Sequence, residues 1–73
     1  SMIKFTLIIW VCSFMAGTKC MPPIYFPTIY DSWTECSIAA HEESIKIIKA
    51  SEPDFFEKNK VGMKYICDPV KTY

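Results

Sequence analysis

Four cysteines, one histidine and a pair of adjacent glutamates are the residues of this chain with most chemistry to offer. Cys12, Cys20, Cys36 and Cys67 stand eight or more residues apart. Structural zinc is usually held by close pairs such as C-x2-C, and thiol oxidoreductases use C-x-x-C; neither spacing occurs. An even cysteine count in a chain of 73 residues points instead to two disulfides formed in an oxidising setting. Two alternatives stay open: four reduced, buried thiols, or one metal shared by Cys12, Cys20, Cys36 and Cys67.

His41 falls inside a broad apolar arc when the surrounding residues are drawn as a helix. That predicts a half-buried ring with a hydrogen-bond partner, not a ligand or a base. Cys36 and His41 are five apart, so a helix points them in different directions and no cysteine–histidine nucleophile results. Glu42 and Glu43 read as a solvated helix edge. Trp10 and Trp33 could flank one pole, but they read as ordinary core aromatics, each indole N–H finding a carbonyl. No catalytic residue and no cofactor are expected. A small metal-binding protein or a thiol enzyme is the residual reading.

The elements that must position these residues begin with the longest apolar run, residues 3–14. Ile3, Phe5, Leu7, Ile9 and Val11 alternate with Lys4, Thr6, Ile8, Trp10 and Cys12, giving one wholly apolar side and one mixed side. This predicts a central strand with one face in a core. The competing reading is a signal peptide or anchor over residues 2–17, because a lysine, an apolar stretch and small residues follow in that order. The run is too short for a full membrane span.

Residues 18–30 carry three prolines and many large apolar side chains. They predict an irregular, extended Pro/aromatic loop that folds over the core as a lid and offers Tyr25, Phe26 and Tyr30 for docking. Ser32 and Glu35 form a capping-box pattern, and Pro53 sets an end, so a helix is predicted over 33–50. Its polar strip holds Glu35, Glu42, Lys46 and Lys49, with Glu42 and Lys46 as an i,i+4 pair. Trp33, Cys36, Ala40 and Ile47 lie toward one side of the remaining arc, and Ile38, Ile45 and Ile48 toward the other. Ser37 and Ser44 between them leave room for a strand to approach. A short helix over 53–59, capped by Ser51, and a strand over 61–67 complete the chain, with a loose tail from Val70.

The expected fold is therefore a single small α+β domain spanning 1–73: strand, loop, long helix, short helix, strand, βαβ-like and disulfide-stapled. A helix between two strands suggests a right-handed crossover with parallel strands. All four cysteines would then gather at one pole. Of the three possible connectivities, Cys36–Cys67 with Cys12–Cys20 is preferred.

Cys12-Ser13, Cys20-Met21-Pro22-Pro23, Asp31-Ser32-Trp33 with Cys36, and Tyr65-Ile66-Cys67 together resemble small uncharacterised four-cysteine proteins encoded by marine bacteriophages. The resemblance covers nearly the whole chain and brings no activity with it. It implies a compact viral module in which the first apolar run belongs to the fold.

Eight lysines, no arginine and a formal net charge of zero argue against nucleic-acid binding. So small a body cannot easily hide a chain that is 51% hydrophobic. A non-enzymatic interaction or structural module is thus expected, meeting a host or virion protein. A homo-oligomer is expected too, most simply a dimer burying the first strand or the Ile38/Ile45 side of the helix. The compartment would be the host cytoplasm if the first run is part of the fold. If residues 2–17 were a leader or anchor, the chain would be an exported or envelope disulfide protein, and only then would it meet a membrane.

Overall fold

A computed structural model describes residues 3–70. Six elements follow in order: β1 (Phe5–Ser13), β2 (Lys19–Cys20), β3 (Ile24–Tyr30), α1 (Trp33–Ala50), α2 (Phe55–Asn59) and β4 (Val61–Pro69). The first apolar run is the central strand. β4 pairs with it along its whole length, from Phe5↔Pro69 to Ser13↔Val61, while β2 and β3 take its other edge. Every pairing is antiparallel. With residues 5–13 in the middle of the sheet, removal of 2–17 as a leader would take out the strand on which the others are built.

Parallel strands are therefore not what forms, and the cause lies in the proline-rich segment. After a turn in which Gly17 adopts φ 76°, residues 19–30 run back beside β1 and do not cap it as a loop. Pro27 is tolerated because the register shifts between Thr6↔Ile29 and Ile8↔Tyr25, leaving it in a bulge on an edge strand. The chain is thus returned to the start of β1 before α1 begins, and α1 and β4 both run opposite to the expected sense.

Helix α1 begins and ends where the sequence places it. Ser32 Oγ accepts from Glu35 N–H at 3.1 Å, and Ser32 O–H donates to Glu35 Oε2 at 3.1 Å. At the far end Ser51 closes α1, its hydroxyl donating to Ile47 O at 2.7 Å, and does not cap the next helix. α2 starts after Asp54 without a side-chain cap. The surface pair on α1 is Lys46–Glu43, at 3.3 Å, and not Lys46–Glu42.

The core lies between α1 and one face of the sheet. Leu7, Ile9, Cys36, Ala40 and Cys67 are buried there, with Phe5, Phe26, Tyr30, Ile47, Met63 and Tyr65 packed around them. Residues directly opposite in a sheet share a face. Leu7↔Cys67, Ile9↔Tyr65 and Val11↔Met63 therefore put odd-numbered β1 and β4 side chains under α1. The even-numbered ones turn to the other face, which no element of the described chain covers.

Candidate functional site

The four cysteines are the residues with most chemistry to offer, and all four are oxidised in pairs. They form Cys12–Cys20 and Cys36–Cys67, and no described cysteine is free. The two bridges do not share a pole. Cys12 pairs with Cys20 beside the hairpin turn, on the open face of the sheet. Cys36, in the first turn of α1, meets Cys67 opposite Leu7, near the start of β1 and under the helix. The preferred connectivity therefore forms although the expected convergence at one pole does not. Cys36–Cys67 needs only that β4 end where α1 begins, which holds whichever way the pair runs. Cys12–Cys20 needs only a tight turn. A single metal site built from all four thiols is incompatible with this arrangement.

His41 lies on the exposed surface, and not half-buried. Its Nδ1–H donates to Ser37 O at 2.8 Å, and its ring stands edge-on to Tyr65 at 5.5 Å. Tyr65 Oη in turn lies 2.8 Å from Ser37 Oγ. Serine, tyrosine and histidine thus meet, but Nδ1 is held by a carbonyl and Ser37 Oγ by the phenol. The cluster joins α1 to β4. No group of three or more His, Cys, Asp or Glu side chains arranged to hold a metal is found among the described residues.

The tryptophans separate as well. Trp33 is largely exposed and meets Phe5 edge-on at 5.8 Å, near the start of β1. Trp10, toward the other end of β1, lies on the open face under Lys64 Nζ at 4.9 Å.

The docking candidates divide between three places. Phe26 and Tyr30 are half-buried and pack against the core, so they belong to the fold. Ile38 and Ile45 stand exposed on the outer side of α1, together with Ile48. Tyr25 stands on the open face. It is the register partner of Ile8, which on its other side is the register partner of Ile66. A straight row, Tyr25–Ile8–Ile66, therefore crosses all three strands. Ile8 at its centre is only 9% exposed, while Tyr25 and Ile66 are 70% and 43% exposed. Ile29, opposite Thr6, and Trp10 extend the patch along the strands. Sequence reading missed Ile29 and Ile66 because both depend on the return path of residues 19–30. The place of Ile66 on the same side of the strand as Lys64 and Asp68 was the available signal.

On the covered side a hollow of ≈ 390 Å³ opens between Val11, Met21, Ile24, Ile47 and the aromatic pair Phe55–Phe56, with Ser51 and Glu52 also on its lining. It marks where α1 ends before the sheet does.

No family model, curated protein or solved structure matches this chain.

Proposed function

We propose that this chain is a non-enzymatic interaction module, encoded by a phage and docking a host or virion protein on the open face of its sheet. The observation that carries the reading is the row Tyr25–Ile8–Ile66 with Ile29 beside it. A sheet in a two-layer domain normally turns polar side chains to water on its outer face. Here the residues meant for water include two isoleucines and a tyrosine in contiguous positions, and contiguous apolar patches of this kind mark contact sites. The four-cysteine resemblance supports the viral assignment. The two disulfides favour an oxidising setting at the place of action, which suits a virion or envelope partner better than a cytoplasmic one.

The test is affinity capture from host lysate and from purified virions, comparing wild type with a Tyr25→Ser, Ile29→Ser double variant. Phe26 is left alone because it packs on the core. A protein captured by wild type and lost with the variant supports the reading. Identical capture by both chains counts against it.

A further inference from the structure

We propose that two copies of this chain join through the outer edge of β4, in the antiparallel register that sets Ile66 opposite Ile66 and Lys64 opposite Asp68 of the second copy. This goes beyond the partner reading above and stands without it.

The first observation is which backbone groups the edge offers. Val70 N–H donates to Lys4 O, and Phe14 N–H donates to Lys60 O. In an antiparallel ladder such bonded pairs recur at every second residue. Even-numbered residues of β4 therefore turn their backbone groups to β1, and odd-numbered ones turn theirs outward. β4 pairs with no strand but β1 among the described residues. Val61, Met63, Tyr65 and Cys67 thus present free N–H and C=O groups on a nine-residue strand. Pro69, which has no N–H, falls at one of the outward positions; it costs the chain nothing internally and confines full edge bonding to the stretch around Tyr65 and Cys67.

The second observation is the side-chain pattern, Lys64-x-Ile66-x-Asp68, all on the open face. Neither Lys64 nor Asp68 has an ion-pair partner within the described chain. An antiparallel pairing about Ile66 makes Tyr65 and Cys67 the hydrogen-bonded partners across the edge. Ile66 with Ile66, and Lys64 with Asp68, then fall at non-hydrogen-bonded positions, where side chains approach most closely. The two-fold creates both ion pairs at once. It also joins two Tyr25–Ile8–Ile66 rows into one that crosses six strands.

The third observation comes from α1. Ser37, His41, Ile45 and Ile48 follow one another at helical spacings of four, four and three, forming one ridge. Its first two members are tied to Tyr65 of β4; from there the row turns outward, so that Ile48 stays on the β4 side and Ile45 ends on the outer side of α1. The remaining two stay uncovered, Ile45 at 50% and Ile48 at 46% exposure. A two-fold axis normal to the sheet at the β4 edge brings this ridge toward its symmetry mate. Adjoining strands are about 4.8 Å apart. With α1 lying over β1 and β4, the helices stand roughly 10 to 14 Å apart, within reach of facing isoleucines.

The experiment is sedimentation or light scattering over a concentration series at low salt. It uses wild type, Lys64→Asp, Asp68→Lys, the Lys64→Asp/Asp68→Lys swap, and Ile48→Glu, each checked by far-UV circular dichroism. Wild type is expected to dimerise. Each single reversal places like charges opposite twice over and should raise the dimer dissociation constant by about tenfold or more. The swap should return it close to wild type, and mixing the two single variants should yield a heterodimer. Ile48→Glu should weaken the dimer while the chain stays folded. A wild type that is monomeric throughout overturns the proposal, as does a dimer indifferent to either reversal. Should a single reversal unfold the chain, the swap decides alone, and a monomeric swap overturns the register.

Discussion

The two faces of the sheet carry one disulfide each, and the bridges differ in what they hold. Cys36–Cys67 lies on the covered face, with Cys36 wholly buried and Cys67 4% exposed, and joins residues 31 apart in sequence. Cys12–Cys20 lies on the open face, joins residues eight apart, and has Cys20 exposed. On a chain-entropy model the longer loop is worth about 3.7 kcal/mol and the shorter one about 2.5 kcal/mol. The larger difference is in what each connects. Cys36–Cys67 ties helix to sheet across the core between them, whereas Cys12–Cys20 pins two strands already joined by a short turn. The covered face makes the fold; the open face is stabilised mainly by its own strand pairings.

The strongest way to break this contrast is at the covered bridge. Changing Cys36 and Cys67 together to Ala is expected to cost about 4 kcal/mol or more, the lost cross-link plus two small cavities. For a domain this small that approaches its whole stability. Urea denaturation monitored by circular dichroism is expected to show a largely unfolded chain. A variant that kept most of its stability would mean that the core is held by packing alone.

Leu7→Ala comes next. Leu7 is fully buried between α1 and the sheet, and such truncations cost about 2–5 kcal/mol. The urea midpoint should fall accordingly. A loss below about 1 kcal/mol would mean that the covered face is not the core.

The open-face bridge ranks third. Replacing Cys12 and Cys20 by Ala should cost about 2.5 kcal/mol for the lost cross-link, with a small further loss at the buried Cys12. Hydrogen exchange is expected to quicken at the hairpin tip, residues 13–20, and to stay slow at Leu7 and Ile9. Equal quickening in both places would show that the two bridges hold one cooperative unit. Titration with a dithiol should likewise reduce this bridge first, because attack on Cys20 meets no covering layer.

How much of this was legible in the sequence follows from how local each signal is. Helix α1 was readable because its start and stop rest on neighbours: Ser32 reaching Glu35, and Pro53 restraining what precedes it. Strand β1 was readable from alternation alone. β3 was not, because prolines count against a strand unless its edge position and bulge are known, and both are tertiary facts. From that one element came the wrong strand sense and the expected single pole of cysteines. The disulfide pairing survived because it depends on contacts within the α1–β4 unit and within the hairpin, neither of which β3 alters. The open face is the least legible part. Tyr25 could be singled out as an aromatic in an odd place, but its row with Ile8 and Ile66 exists only once three strands are in register.

The smallest effect on stability is expected at Ile29, and it sharpens the comparison most directly. Ile29 sits opposite Thr6 on the open face and is 53% exposed. Fully burying an isoleucine is worth about 1.5–3 kcal/mol, so a side chain left half in water returns roughly half of that at best. Ile29→Thr keeps the β-branch that suits a strand and replaces one apolar arm with a hydroxyl that water can satisfy. The expected cost is therefore about 1 kcal/mol or less, a fall in melting temperature of roughly 4–8 °C at most for a chain of this size. A thermal melt of the variant beside Leu7→Ala measures the contrast between the faces in one experiment. A fall as large as that of Leu7→Ala would make the open face a second structural layer, and its apolar row would then have to be explained by folding, leaving no surplus for a partner.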